Sequence, residues 1–549
     1  MGFSWNYGYP TGIFYGDAFL YPFALLAHFE WLNLPQTFRL FVFCHNAAVV
    51  FVAFYSFHHI FGSKKVAFFG CTLYCASIWH LTNLYVRCAV GEYTAMIFLP
   101  LLAAGMCDLH RQRAKSGALL LIVGFTGLLH SHVITTILTV DCLALYILFE
   151  GRIFLRRNRL ESLLIAAGVL LAINAGFILP FLYYYTSVPI FGLSRTPEHL
   201  RNISVHLRQL FNISYNVNKL LAPLATPDAQ EMPQGIGIAP MLVFMASCLF
   251  ALSGATAKVM RHRGGSCLKI SGFHAPLSLR PFATIFMLSA LFLWLSTEYF
   301  PYAFMAKYAP WLYVVLCETC QFPMRYHTIS TLLLSLLAMQ MCLQTGSSTS
   351  QSIRATAIVF TAVIMFTSLA QSLHFIARTY DETRVSTDEQ IVLRLPNFGD
   401  NFYRMRHVYA PHQNSDLLIH SSSDKEVSFS DVVRSNFRFE LHARNTGKNP
   451  GWLDFPVWNY PGYKAVSSKG YKLGVADGDN RRVRVYLPPG FNDTLTLRWV
   501  TPLSWRVAHI VSWVSLVALL LFAFTPLPKW LARIFPRLCG FPTRLSAPW

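Results

Sequence analysis

Acidic residues are scarce in this chain, and so is charge of any kind. Asp and Glu number 26 against 45 Lys and Arg, and charged residues make up 13% of the 549. Soluble domains carry about 25%, so a chain folded wholly in water is a poor fit. The first 35 residues lack the basic start and apolar core of a secretory signal. Cysteine is absent between 374 and 506, although the chain has 12, so no disulfide holds that stretch together. Cys317 and Cys320 form a lone CxxC without a second pair, a nearby His pair or a βαβ setting, which makes packing its default reading over metal or redox chemistry. A concentrated basic patch is lacking too. The net charge of +19 is dispersed among short links, which argues against a nucleic-acid partner.

Apolar sequence is what abounds: 54% of residues are hydrophobic and mean hydropathy is +0.41. Crossing a ~30 Å hydrocarbon core takes about 20 helical residues. Eleven runs qualify, at 37–61, 66–83, 93–109, 117–133, 134–150, 161–185, 236–257, 282–297, 325–343, 354–373 and 507–525. The links with Lys64 and Lys65, Arg111 to Lys115, Arg152 to Arg159, Lys258 to Lys269 and Lys529 to Arg537 are basic, and they share one side if each run crosses once. The positive-inside rule makes that side, and the C-terminus, cytoplasmic. The fold expected is a polytopic α-helical membrane protein. Residues 1–373 form its transmembrane part with outer loops, 374–506 an extracytoplasmic domain, and 507–549 the final helix and basic tail.

Within 374–506 the pattern changes to a period of two from 426 onward. Phe437 to Leu441, Val483 to Leu487 and Leu495 to Trp499 alternate, Asp477-Gly478-Asp479-Asn480 signals a hairpin, and Pro488-Pro489-Gly490 another turn. Such strands predict a small antiparallel β-sandwich before the last helix, with Trp505 and Arg506 as an interfacial anchor. The segment 298–324, interrupted by Pro301 and Pro310, reads as interfacial or re-entrant. The N-terminal residues predict a short interfacial helix near 18–32 and leave the chain starting outside, so a further helix is expected ahead of Met1.

Only twelve carboxylates lie outside the β-domain, and eight of them fall on the outer side: Asp17, Glu30, Glu92, Glu198, Asp228, Glu231, Glu298 and Glu318. The outer surface is therefore where chemistry is sought. Tyr85-Val86-Arg87 and Gly91-Glu92-Tyr93 flank a short turn between two runs. Arg87 suits a phosphate through its planar fork, and Glu92 can orient a hydroxyl, bind a metal or act as a base. The same two residues equally make a plain ion pair that closes the turn. Asp17 reads as a helix N-cap or as a catalytic or metal-binding carboxylate. His130 and His132 are two apart, so on a helix they diverge, and either one could line a wet cavity. Arg325 is a cation against the general charge bias, suited to a lipid phosphate or to snorkelling.

The order of motifs carries a resemblance. Gly8-Tyr-Pro-x-x-Ile-Phe-Tyr-Gly-Asp17-x-Phe-Leu-Tyr21, Asn83-Leu-Tyr-Val-Arg87-x-x-x-Gly-Glu92-Tyr93-Thr-Ala-Met-x-Phe-Leu-Pro100, Leu295-Ser-Thr-x-x-Phe-Pro301, Gln321-Phe-Pro-x-Arg325 and Tyr460-Pro-Gly-Tyr463 resemble the YfhO-like bacterial membrane proteins. That group is filed in part as a 6-pyruvoyl-tetrahydropterin synthase-related membrane domain. The resemblance spans essentially the whole chain. It implies a GT-C-like fold in the bacterial inner membrane and transfer of a sugar from a polyprenyl-phosphate carrier to an envelope glycan or lipid acceptor, outside the cytoplasm and among membrane lipids. Pterin chemistry does not follow, since no His-rich zinc triad is apparent. In that frame Asp17 and Glu92 are the catalytic residues. Arg87 and Arg325 hold the carrier phosphate. Tyr93, His130 and His132 line the substrate, and Trp452, Trp458, Tyr460 and Tyr463 stack on sugar rings, or the β-domain is instead a structural cap on the membrane part. No cofactor is required by the motifs, and a divalent metal is left open. GT-C-like enzymes place an essential acid in the first outer loop, and related chains carry a helix and an Asp/His loop ahead of the Gly-Tyr-Pro motif. Here either Asp17 is that acid or it is missing. The competing expectation is a non-enzymatic lipid-linked-sugar transporter or envelope-assembly scaffold.

Overall fold

The computed structural model describes residues 11–14, 16, 18–188, 196–211, 233–262, 279–346, 350–382, 418–423, 425–435 and 438–524. Asp17, much of the loop 186–235, most of the basic link at 258–269 and the basic tail at 529–537 lie outside the described residues. The chain divides into two compact units: Tyr15–Leu170 with Ser194–Val385, and Met1–Phe14, Leu171–Leu193 with Ser386–Trp549.

The first unit is helical. Its first long helix, α1 (Leu34–Phe61), starts on a capping box in which Asn33 and Gln36 satisfy each other's backbone N–H groups, and it stops at Gly62, whose φ of +70° is left-handed. Ser63 caps α2 (Lys64–Cys75). The expected run 66–83 is not one helix. It breaks at Ala76, and Ser77 caps a new turn, Ile78–Leu81, that passes into a π-helical turn at Thr82–Val86. Helices α3 (Val90–Ala95), α4 (Leu99–His110), α5 (Ala114–Leu129) and α6 (Val133–Phe149) follow. The backbones of α4 and α5 approach closely because Gly105 and Gly117 face each other. A Cβ on Gly117 would lie 2.9 Å from the Gly105 carbonyl oxygen, the role small residues play between apolar helices.

Next come α7 (Arg157–Ile173) and α8 (Ala175–Ser187), broken at Asn174, then α9 (Ile238–His262), α10 (Leu279–Leu295), α11 (Tyr326–Gly346) and α12 (Gln351–Glu382). Every residue of α11 from Tyr326 to Met341 is buried. A helix enclosed on all sides is the axis of its unit, and α2, α6, α9, α10 and α12 all pack on it. Residues 298–324 are irregular, with short helices at Tyr302–Tyr308 and Pro310–Tyr313 and a second π-helical turn at Val314–Glu318.

All eleven apolar runs lie on helices, but among the described residues five helical segments are long and apolar enough to cross a membrane: Leu34–Phe61, Val90–His110, Pro323–Gly346, Gln351–Ala377 and Leu503–Leu521. The pair Arg157–Ile173 and Ala175–Ser187 makes a sixth if taken as one span. Helix α12 runs to Glu382, so the first residues assigned to the β-domain are helical.

In the second unit two antiparallel sheets pack face to face. One has the order β1-β4-β8-β7, from His420–Ser421, Gly451–Trp458, Arg482–Leu487 and Val475–Asp477. The other runs β2-β3-β9-β5-β6, from Val427–Ser435, Arg438–Asn445, Asn492–Trp499, Tyr463–Ser467 and Lys472–Leu473. Alternation sends Leu453, Phe455, Val483 and Val485 inward from one sheet and Phe439, Leu441, Leu495 and Leu497 from the other. Phe439 and Phe455 meet edge to face at 5.3 Å. The turn at Asp477–Asn480 joins β7 to β8 as a hairpin, whereas Pro488–Gly490 carries the chain from one sheet to the other. The last helix among the described residues, α13 (Leu503–Phe524), packs on α8, which belongs to this same unit, and the Ser512 hydroxyl accepts from the Gly176 N–H. Trp505 is buried against Tyr183, Tyr184 and Trp499. It packs inside the protein rather than anchoring it at an interface.

Replacing Phe455 by Ala removes a fully buried ring at the centre of the sandwich. A loss of about 3–5 kcal/mol is expected, read as earlier protease cleavage within 418–499 of the purified chain while the helical signal persists.

Candidate functional site

The site grows from two irregular turns. After α2 the π-helical turn at Thr82–Val86 closes with Arg87 N–H donating to the Thr82 carbonyl. Cys88 then takes a left-handed φ of +47°, and the chain reverses into α3. One extra residue in the helical turn and one left-handed residue set Asn83 and Arg87 facing Glu92 in the first turn of α3. Across from them, the second π-helical turn leads through Gln321, at φ +62°, to a 3₁₀ turn at Pro323–Arg325 and into α11. Single π-helical turns concentrate at functional sites.

These turns converge on the Glu92 carboxylate, which is 1% exposed. Arg87 Nη1 donates to Oε2 at 2.8 Å, and Arg325 Nε lies 3.5 Å from the same oxygen. Asn83 Nδ2 and Thr328 Oγ1 donate to Oε1 at 3.3 and 3.1 Å. Arg87 also bonds the Asn83 side-chain oxygen. Thr328 is held in turn by Trp79, whose Nε1 donates to its hydroxyl at 2.8 Å. The Arg87 guanidinium lies over the Trp79 ring, 5.2 Å from its centre. Arg325 donates to the Cys320 carbonyl and to Gln321 Oε1 and lies over the Phe322 ring. Two cations and one carboxylate leave one net positive charge in a place nearly closed to water, with the arginine side chains 13% and 12% exposed.

His132 borders the cluster. A Cβ on Gly91 would sit 2.6 Å from the Ser131 carbonyl and 3.3 Å from the His132 ring, so Gly91 lets α3 press against the turn before α6. The ring's Nδ1 is occupied by Thr135, through its backbone N–H and its hydroxyl. His130 caps the end of α5, its backbone against Gly16. Of the residues singled out by sequence, Arg87, Glu92 and Arg325 are brought together, with His132 beside them. Tyr93 points away. It is buried against Phe41 and His45. Asn83, Trp79 and Thr328 escaped the sequence reading. Asn83 was within the quoted motif, but its spacing of four from Arg87 on a helical turn was the only local sign.

Three of the four aromatic residues expected to stack on sugars are interior ones. Trp458 and Tyr460 are 1% and 0% exposed. Tyr184 stacks on Tyr460 and donates to the Pro461 carbonyl. Tyr463 is in the sandwich core, where burial pushes its phenol pKa up. None offers a ring face to a ligand. Trp452 is half-buried instead, with Arg484 3.7 Å over its ring and Asp454 gripping that guanidinium at 2.7 and 2.8 Å. Among the described residues no group of three His, Cys, Asp or Glu could hold a metal ion. Cys317 and Cys320 are buried and free.

Removing one partner of a buried ion pair costs about 3–5 kcal/mol, because the other charge is left uncompensated. Glu92→Ala is therefore expected to lower thermal stability sharply, and the double variant Glu92→Ala with Arg325→Ala to recover part of the loss. Melting curves of the purified chain and both variants check this.

No family model matches the chain, and no curated protein matches it either.

Proposed function

We propose that the chain is a membrane glycosyltransferase of GT-C-like type. It takes a sugar from a polyprenyl-phosphate carrier and passes it to an envelope acceptor at the face opposite the basic links. In this reading the eleven apolar runs cross the membrane of a bacterial cell. The exposed rings of Trp31 and Trp311, 72% and 70% accessible, suit the aromatic belt at a membrane interface. The observation that carries the reading is the convergence of Arg87 and Arg325 on one buried carboxylate. An arriving phosphate competes with Glu92 for both guanidiniums, since forked donors serve either anion.

The chemistry then runs as a single displacement. The acceptor hydroxyl oxygen attacks the anomeric carbon, the bond from that carbon to the phosphate oxygen breaks, and the carrier leaves as its phosphate. Arg87 and Arg325 offset the charge gathering on that phosphate. Glu92, released by them, takes the proton of the acceptor hydroxyl. Asn83 and Thr328 keep the carboxylate in place while the arginines are engaged.

A second reading has its own support. Both Glu92 oxygens are already satisfied by protein donors, as they would be in a purely structural lock of a transporter or scaffold. Vesicles loaded with radiolabelled polyprenyl-phosphate sugar separate the two. Glu92→Gln is expected to cut transfer about 100-fold or more, the range for a lost general base. Arg87→Lys keeps the charge, loses the fork and should raise KM for the carrier. Wild-type transfer by a Glu92→Gln chain that melts normally overturns Glu92 as the base, and carrier translocation without transfer by the unaltered chain overturns the enzyme.

A further inference from the structure

Away from the Glu92 cluster, helices α4 and α11 enclose a second feature. A cavity of about 140 Å³ runs between them and the facing parts of α1, α6 and α10. Its lining on α11 extends from Ile329 to Gln340 and on α4 from Leu99 to Arg111. At 1.5 Å rise per residue those stretches are each roughly 16–18 Å long. Lining that extends this far along two helices outlines an elongated slot, which suits a hydrocarbon chain better than a rounded ligand. Its walls are apolar, set by Leu102, Met106, Leu332, Leu333 and Leu336.

Besides Thr139, Tyr146 and Arg111, two polar side chains in that lining have an atom without a hydrogen-bond partner among the described residues. Gln340 is 2% exposed and lines the slot, and its Nε2 has no hydrogen-bond partner among the described residues. His110 lines it as well, and its buried Nδ1 likewise has none among the described residues. A buried amide donor left unmatched costs about 1–3 kcal/mol. Dry apolar cavities of similar size are lined by hydrocarbon alone, so a fixed amide in this wall calls for an acceptor oxygen from whatever enters. The ends differ. At one end Leu99, Leu288 and Ile329 are buried, 0–2% exposed. At the other, Arg111 is exposed at the C-terminus of α4, tethered through the His59 and Ile60 carbonyls.

We infer that the slot binds an acyl-chain lipid entering at the Arg111 end. The anionic headgroup lies near Arg111 and His110. An acyl carbonyl oxygen accepts from Gln340 Nε2, and the chain runs along Leu336, Leu332 and Leu102 toward the closed end. A polyprenyl chain would fill the same walls but brings no oxygen to Gln340, which is why the acyl lipid is the occupant assigned. The site is separate from the Arg87–Glu92–Arg325 cluster and does not depend on the sugar-transfer reading.

The test uses the full chain in membranes and a photoreactive palmitoyl phosphatidylglycerol, with peptide mapping of the crosslink. Labelling within 99–111 and 329–340 is expected, competed by unlabelled palmitoyl phospholipid and not by polyprenyl phosphate. Gln340→Leu keeps the side-chain volume and removes the donor, and labelling should fall about fivefold, the worth of one hydrogen bond. Leu336→Trp fills the slot and should abolish labelling, whereas Leu369→Trp at an exposed position of α12 should leave it unchanged. Competition by polyprenyl phosphate alone, labelling outside those two stretches, or no response to Gln340→Leu in a chain with normal melting would each overturn the assignment. Sugar transfer is not the readout, so failure here is distinct from failure of the enzyme.

Discussion

The first unit depends on the burial of one carboxylate between two guanidiniums. Glu92 ties the reversal after Arg87 to the start of α11, where Thr328 lies 236 residues further along the chain. Charges this far from water are tolerated only when paired and fully hydrogen-bonded, and here each oxygen has two partners. The irregular backbone on both sides follows from that need. Regular helices through Thr82–Val86 and Val314–Glu318 would carry Arg87 and Arg325 off in other directions. Two π-helical turns and left-handed residues at Cys88 and Gln321 are the local cost of aiming both arginines at one point. Trp79 supports the arrangement twice, through its indole N–H on Thr328 and its ring under Arg87.

Charge was the legible part of this site. In a chain so poor in acids, Glu92 next to Arg87, and Arg325 on the sparsely basic side, stand out by sign alone. Their uncharged supporters do not, because an Asn, a Thr or a Trp in an apolar chain looks like any other until the fold brings it to a carboxylate. Aromatic residues misled for a related reason. Sequence marks Trp458, Tyr460 and Tyr93 as large flat rings but says nothing about which faces are covered, and in each case packing covers them. Strand alternation was plain in Arg438–Leu441, Val483–Leu487 and Leu495–Trp499, since a period of two has few competing explanations. The break at Ala76 was hidden. Neither Gly nor Pro marks it, and Ser77 becomes a cap only because the next turn starts there.

The Tyr184 ring serves the second unit much as Glu92 serves the first. It stacks on Tyr460, meets Trp505 and Phe14, and donates to the Pro461 carbonyl. Trp499, the last residue of β9, donates to that same carbonyl. One backbone oxygen in the Tyr460–Tyr463 motif therefore joins α8 to the end of the sandwich. Gly462 explains why the motif has that form: its φ is +123°, and a Cβ there would lie 2.4 Å from the Trp499 indole nitrogen. The motif reads as a joint between strand and helix, and its aromatic residues are spent on that joint.

Helix α11 borders two polar features with opposite bookkeeping. At the Glu92 end both carboxylate oxygens are met by groups from within the chain. In the slot an amide donor stands in an apolar wall without a match among the described residues. A matched buried group holds a shape, and it binds a ligand only by exchange, one anion for another. An unmatched one favours a ligand outright, because the protein gains a bond that it lacks by itself. The first arrangement suits a charged substrate that must come and go, since in the proposed reading the carboxylate would reclaim both arginines once the phosphate leaves. The second suits a molecule that stays. If both sites act in the same chain, α11 borders a site for exchange and a site for retention, and a lipid held along it would keep that helix braced while Arg87 and Arg325 change partners.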